Sequence, residues 1–435
     1  MANPVRVPDD TRSLHAIGDF IMNYQPYQNA FVNAIINRIA MTIVTSKMWD
    51  NPWTVFKRGY MEFGETVEEI FVNLAKPHSY DPVTAQSEVF KREIPDIRAA
   101  FHTMNYQKFY KDTIQNDQLR QAFLSWQGIT DLIARIVDSM YTAQNYDEYC
   151  VMKYMISRAI LNGDVSYKAV PSVFSTADDI VYAARSISTD FTFLKTNYNR
   201  AGVYNSTLRD DQYIIISADL EALVDVGVLA RAFNMEYADF LGHVIIVDSF
   251  SQHDTARLAE LFANDSTYSA FSGDDITALG NIAAVIVDRD WWMVFDNLMQ
   301  NTELYNGEGL YWQYWLHAWK TFSISPFANA CAIVSSVGSI TSVTVSPSTA
   351  TMAPGASATF SAAVVKSGLV SDAVKWSITK QKSAETHIDP FSGVLYLGAD
   401  ETGTANAGGT AYEIVVTATS VVDSTAYGTA TVTVS

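Results

Sequence analysis

At Ser335-Ser336-Val337-Gly338-Ser339 the chain changes character, and no other feature constrains its fold as much. Eight of the nine tryptophans lie before this break, in an aromatic-rich stretch; after it Ser, Thr, Ala, Val and Gly dominate. With 435 residues the chain also exceeds the size at which a single core stops growing. Two units follow, residues 1–335 and 340–435. In the second, short alternating runs at Ala358 to Val364, Val374 to Ile378, Ile414 to Ala418 and Ala426 to Val434 are separated by Gly, Pro and Asp turn signals. That pattern predicts an all-β sandwich of immunoglobulin size.

The first unit has a mixed, α+β pattern. Between about Asp117 and Ala143, apolar residues recur at three- and four-residue steps (Leu119, Ala122, Phe123, Trp126, Ile129, Ile133, Ile136, Val137, Met140), which predicts a long amphipathic helix. A second helix is expected over Tyr146 to Leu161, ending at Asn162-Gly163, where glycine supplies a left-handed cap. A third begins at the cap residue Thr176, with Asp178 and Asp179 at the positive end of its dipole. Strands are expected at Tyr213 to Ser217, His243 to Val247, Ile282 to Val287 and Tyr311 to Ile324, with a helix near Val226 to Phe233.

Composition narrows the function. Hydrophobic residues at 48% describe a globular chain, and the net charge of −18 is spread through apolar segments. Twenty-nine basic against 47 acidic residues leave no basic patch for phosphates. Cys150 and Cys331 have no partner at metal or redox spacing and are expected as buried reduced thiols. The polar N-terminus MANPVRVPDDTRS lacks an apolar h-region, and no stretch approaches the roughly 20 apolar residues of a membrane span. Export is not expected, and the sequons at Asn205 and Asn264 then carry no information.

No Walker loop, GxGxxG, HExxH, GxSxG or CxxC is present, and the seven histidines are scattered without ligand spacing. Neither catalytic residue, cofactor nor metal is expected. Asp288-Arg289-Asp290 is read as a charged turn after a strand in preference to a carboxylate pair. The cluster Tyr311 to Trp319 is read as strand core in preference to a sugar platform. Asp219 and Glu221 are read as favourable charge at a helix start.

From Trp53 to Tyr110 the sequence alternates over long stretches with interleaved charge: Lys57, Arg58, Glu62, Glu65, Glu68, Glu69, then Lys91, Arg92 and Glu93. An extended arm of this kind cannot bury both faces in one small domain, so these nine residues are the expected intersubunit contacts.

Several stretches resemble the major capsid proteins of phi29-like short-tailed phages. They include Phe56-Lys57-Arg58-Gly59, Thr66-Val67-Glu68-Glu69-Ile70, Val89-Phe90-Lys91-Arg92-Glu93-Ile94-Pro95, Phe109-Tyr110-Lys111-Asp112-Thr113-Ile114-Gln115, Asp239-Phe240-Leu241-Gly242, Asp290-Trp291-Trp292-Met293-Val294 and Phe327-Ala328-Asn329-Ala330. They stand in family order across most of residues 53 to 334. The tail separately resembles a bacterial immunoglobulin-like group 2 domain, through Val343-Thr344-Val345-Ser346-Pro347, Val374-Lys375-Trp376-Ser377, Gly393-Val394-Leu395 and Ile414-Val415-Val416-Thr417-Ala418-Thr419.

The first resemblance implies an HK-97-type shell fold. Residues 53–110 would be the E-loop, 117–143 the spine helix of a peripheral domain, and 213–306 the axial domain. It implies self-assembly into pentamers and hexamers of an icosahedral head, built in the host bacterial cytoplasm and enclosing double-stranded DNA without sequence-specific contacts. Expected partners are a scaffolding protein, a portal protein and, through the immunoglobulin-like domain, head fibres or host-surface glycans; no membrane partner is expected. About 25 residues precede the first helical pattern, Phe31 to Thr42, so a separate scaffolding protein and no processing are expected. A cell-surface adhesin or carbohydrate-binding protein is the alternative, disfavoured by the missing signal peptide and wall anchor. A glycoside hydrolase would need two carboxylates across a cleft, and none are marked.

Overall fold

The computed structural model describes residues 49, 51–61, 66–75, 77, 95–115, 126–170, 177–223, 243–265, 267–401 and 412–434. The patterns expected at Phe31 to Thr42 and Val226 to Phe233, and the Asp117 to Ser125 part of the first helix, lie outside the described residues.

One sheet has the order β1-β9-β10-β4, formed by β1 (Lys57–Tyr60), β4 (Tyr106–Gln115), β9 (Trp292–Asn306) and β10 (Tyr311–Ile324). Strand β10 alternates buried and half-buried residues from Tyr311 to Lys320. Trp312, Tyr314 and Leu316 therefore share one face, and they join Ile114 and Met140 in a common core. A register shift between Trp319 and Lys320 sets Lys320 directly opposite Asp296.

The second sheet, β5-β11-β8-β6-β7, carries the main core. Its strands are β5 (Ser166–Ala169), β6 (Gln212–Ser217), β7 (Val244–Val247), β8 (Ile282–Asp288) and β11 (Ala330–Val334), and every residue of β6, β8 and β11 is buried. Such continuous apolar runs arise when both faces of a sheet are covered. The long helix α1 (Trp126–Asn162) contributes Val151, Met152, Ile156 and Ile160 to one face. Helix α2 (Ala177–Phe191) contributes Ile180, Ala184, Ile187 and Phe191 to the other. The short helices α3 (Ala218–Leu223), α4 (Thr255–Leu261) and α5 (Gly273–Leu279) complete the unit.

The structure corrects the expectation of two helices split near residue 144: α1 runs unbroken through it. The buried stripe Met140, Gln144, Glu148, Met152, Ile156, Ile160 continues at steps of four, but two of its members are polar. Apolar periodicity fails there although burial does not. The helix ends as expected, with Gly163 at φ +92°.

After Val334 the chain enters the C-terminal unit: β12 (Ser339–Ser346), β13 (Thr349–Met352), β14 (Ser357–Thr359), β15 (Ser361–Ser367), β16 (Val374–Thr379), β17 (His387–Ile388), β18 (Val394–Tyr396), β19 (Glu413–Ser420) and β20 (Tyr427–Val434). The sheets β12-β15, β13-β20-β19-β16 and β14-β18-β17 share one core around Phe360, Trp376, Leu395, Ile414 and Val432. The run expected as one strand over Ala358 to Val364 is two strands of different sheets. Phe360 sits between them, buried, its N–H donating to the Gly393 carbonyl at 2.9 Å.

Candidate assembly arm and its buried anchor

The arm begins at a 3-10 turn, Pro52–Phe56. Pro52 presets its first φ, and the Asn51 side chain accepts from the Trp53 N–H at 3.0 Å. Trp53 and Phe56 are fully buried: the Trp53 ring meets Trp292 edge-on at 4.8 Å, and Phe56 lies 4.3 Å from Trp292 and 5.2 Å from Tyr213.

Beyond it, β2 (Val67–Val72) and β3 (Ile97–His102) form a separate two-stranded antiparallel ribbon. Cross-strand partners share a face, so the register separates two sets. The inward set is Val67/His102, Glu69/Ala100 and Phe71/Arg98. His102 is hydrogen-bonded to Glu69 at 3.2 Å and to Ser323 at 2.7 Å, Ser325 donates to Glu69 at 2.8 Å, and Phe71 stacks on Phe327 at 5.4 Å. The outward set is Glu68/Phe101, Ile70/Ala99 and Val72/Ile97. Here Ile70, Val72, Ile97 and Phe101 are 55 to 66% exposed.

The nine residues expected as intersubunit contacts thus divide. Glu68 stands on the outward face and Glu69 on the inward one. Lys57 and Arg58 are engaged within the subunit, Arg58 with Asp290 at 2.9 Å. Glu62, Glu65, Lys91, Arg92 and Glu93 lie outside the described residues.

Sequence reasoning missed the polar anchor beneath the arm. Glu148, buried on α1, accepts from Asn51 at 3.0 Å and from Gln144 at 3.3 Å, and pairs with Lys57 at 3.1 Å and with buried Lys320. Asp296 closes the square, 2.6 Å from Lys57 and 2.9 Å from Lys320. Next to Glu148 in sequence, fully buried Asp147 receives a two-pronged contact from Arg257 at 2.7 and 2.9 Å and the Tyr110 hydroxyl at 2.7 Å. The two networks fasten the arm's root, α1, α4 and the β4-β10 sheet to one another. The only signal in the sequence was two polar residues, Gln144 and Glu148, on an otherwise apolar helical stripe.

Burial by itself works against the charge of both partners here. The Lys320 and Lys57 ammonium groups nevertheless hold the Asp296 carboxyl below the usual carboxylate range, and Glu148 and Asp296 hold the Lys57 amine above its ordinary value. A depressed carboxyl stabilises the fold above its unfolded value of about 4 and loses that contribution as pH falls through the folded one. A raised amine stabilises below about 10.4 and loses it as pH rises through the folded value. Thermal stability is therefore expected to form a plateau between these limits, with Asp296→Asn flattening the acid side in a melting series from pH 3 to 8. An unchanged acid slope in that variant would remove Asp296 from the account.

The carboxylates weighed for catalysis have structural partners. Asp288 accepts from the Asp290 N–H at 2.9 Å and the Thr207 hydroxyl at 2.5 Å. Asp219 and Glu221 stand in the first turn of α3. Of the aromatic cluster, Trp312 and Tyr314 are core, and Trp315 lies on the opposite face with the Lys111 amine 5.7 Å from its ring. Cys150 and Cys331 are buried free thiols; burial pushes Cys150 up to about 11, and Cys331 still higher. Among the described residues no His, Cys, Asp or Glu cluster is placed to hold a metal, and no helix is long and apolar enough to cross a membrane.

The sequence matches the family described as Phi29-like phage major capsid protein over residues 7–334. It is similar to the major capsid protein of Bacillus phage B103, 35% identical over 393 residues that cover 89% of this chain and 81% of that one. The major capsid protein of Bacillus phage PZA is 34% identical over 368 residues, 83% of this chain and 76% of that one. A match over 89% of this chain cannot be confined to residues 7–334, so it runs into the C-terminal unit. Among solved structures, the fold resembles a chain in the capsid of Staphylococcus phage Andhra, with a TM-score of 0.52 and 18% identity over 67% of this chain and 86% of that one. The adhesin alternative finds no support in these likenesses.

Proposed function

The chain belongs to the phi29-like phage major capsid protein family, and from that membership we propose that the β2-β3 ribbon is the E-loop of an HK-97-type shell subunit, lying on a neighbouring copy. The protein is a major capsid protein of the virion, structural and not an enzyme. The observation that carries the E-loop reading is the ribbon's outward face. An isolated two-stranded ribbon is marginal in water, and this one presents Ile70, Val72, Ile97 and Phe101 to solvent while its other face is satisfied within the subunit.

In this reading α1 is the spine helix and residues 213–306 the axial domain. The subunit repeats in pentamers and hexamers of an icosahedral head around double-stranded DNA. An apolar contact without directional bonds suits that task, because it tolerates the small rotations between the two environments. The acidic surplus keeps packaged DNA from adhering to the wall. Scaffolding and portal proteins are the partners of assembly, which takes place in the host cytoplasm. In the same reading the C-terminal unit is a group 2 immunoglobulin-like domain, supported by the module's stretches falling in order on strands β12, β16, β18 and β19 and by Trp376 being buried in its core.

Phe101→Asp tests the arm. Burying a large apolar side chain is worth roughly 1.5–3 kcal/mol, so removing the ring from each interface weakens association there by about one to two orders of magnitude. Electron microscopy and sedimentation, with the cognate scaffolding protein, should show no shells at concentrations where the wild type assembles, with the circular dichroism of the subunit unchanged. Normal shells from Phe101→Asp would remove the ribbon from the interface.

A further inference from the structure

We propose that the C-terminal sandwich is a clamp within its own subunit, setting the angle at which the arm leaves the shell domain. The inference rests on the arm reading above and concerns what orients the arm instead of what it touches.

Among the described residues, the sandwich meets the shell unit at two separate places. At the first, Leu369 enters the main core beneath the end of α1. Lys366 Nζ donates to the Asn162 carbonyl at 2.7 Å and Ser371 Oγ to the Gly163 carbonyl at 3.0 Å, so the sandwich supplies donors that the helix end lacks. Gly163 makes this approach possible: a Cβ there would meet the Asp372 nitrogen at 2.7 Å and the Val370 oxygen at 3.0 Å.

The second place is the root of the ribbon. The turn Asp389 to Gly393 is held by the Asp389 side chain, which accepts from Phe391 N at 2.8 Å and Ser392 N at 3.1 Å, and by Gly393 at φ +70°. It presents the Phe391 ring outward from the sandwich, outside that unit's core. The Arg98 guanidinium lies 3.9 Å from the ring centroid, a cation–π contact. The ring also fills the space above Gly202, where any Cβ would overlap it. Arg98 is on the inward face of β3, and its remaining donors go to Asp96 at 3.2 Å and to the Ala201 carbonyl. One arginine thus joins the ribbon to a shell loop and to the sandwich. Because the sandwich is fixed at α1 as well, the ribbon's orientation is defined against two points of the body.

The test is Phe391→Ala in the full chain. Amide exchange in β2 and β3 of the unassembled protein should accelerate at least tenfold, while β19 and β20 exchange as before, which verifies that the sandwich is folded. The same variant should still associate but give a broadened distribution of shell sizes or open sheets under the electron microscope. Phe391→Tyr, which keeps the ring, should restore both readouts. Arg98→Gln, which leaves the sandwich untouched, should reproduce the alanine phenotype. Unchanged ribbon exchange, or shells of wild-type uniformity, in both Phe391→Ala and Arg98→Gln overturns the clamp. Failure of the arm reading is separate: it shows as normal shells from Phe101→Asp, whatever Phe391→Ala does.

Discussion

Glu148→Ala is expected to destabilise the unassembled subunit by about 3–5 kcal/mol, the cost of removing one partner from a buried ion pair. The reason lies in what the substitution leaves behind. Lys320 is 3% exposed and would keep only Asp296, while Gln144 would lose this carboxylate acceptor and Asn51 would be left with the long contact to the Met152 sulfur. Replacing both partners by apolar residues removes the stranded charge, so Glu148→Leu with Lys320→Met should recover most of the loss. Urea unfolding followed by tryptophan fluorescence reads both. A single alanine variant within about 1 kcal/mol of wild type would mean that water reaches Lys320 and that the square is not a dry anchor.

Trp53→Ala is expected to cost a similar amount, about 3–5 kcal/mol, for a different reason. Trp53 has no exposed surface and is wedged among Trp292, Phe56 and Tyr149, with ring centroids at 4.8, 6.1 and 6.2 Å. A cavity of that size in a core of stiff aromatic rings collapses poorly. Because Trp53 also seats the turn from which the arm departs, the variant should lose assembly at temperatures where it remains folded. Trp53→Phe, which refills part of the space, should fall between. Equal melting temperatures for wild type and Trp53→Ala would contradict the packing described.

The elements legible in the sequence were those whose burial follows a single apolar period. Strand β10 was expected over Tyr311 to Ile324 and occupies those residues, because alternation along it is unbroken for ten positions. The change of composition at Ser335 to Ser339 lies where β11 ends and β12 begins, and the core that follows it is built mainly on Val, Ala, Ile and Leu with few large rings. Two errors share a cause: a local pattern was overridden by a tertiary demand. The stripe of α1 became polar where it meets Lys57 and Lys320, so one helix read as two. The run from Ala358 to Val364 looked continuous, but Phe360 turns into the core and divides it. The charged square was not legible at all. Glu148 stands 91 residues from Lys57 and 172 from Lys320, and no periodicity connects positions so far apart. The outward face of the ribbon was half visible: alternation predicted two faces, but the interleaved charges drew the eye away from Ile70, Val72, Ile97 and Phe101, which the structure exposes beside Glu68.

The place of β11 in its sheet sets a timetable. Although Ala330–Val334 is the last segment of the shell unit to be synthesised, it lies inside the sheet, between β5 on one side and β8, β6 and β7 on the other. A nascent chain that stops short of residue 330 therefore has a gap inside its main sheet, and β5 has no strand to join. Leu369 then closes the same core from the following unit. Domains fold as units while the ribosome adds roughly 5–20 residues each second, so the sheet cannot close before Val334 has been made, nor the core before Leu369. Until then the facing edges of β5 and β8 stand unpaired, so an unfinished chain carries open strand edges of the kind through which incomplete molecules pair wrongly.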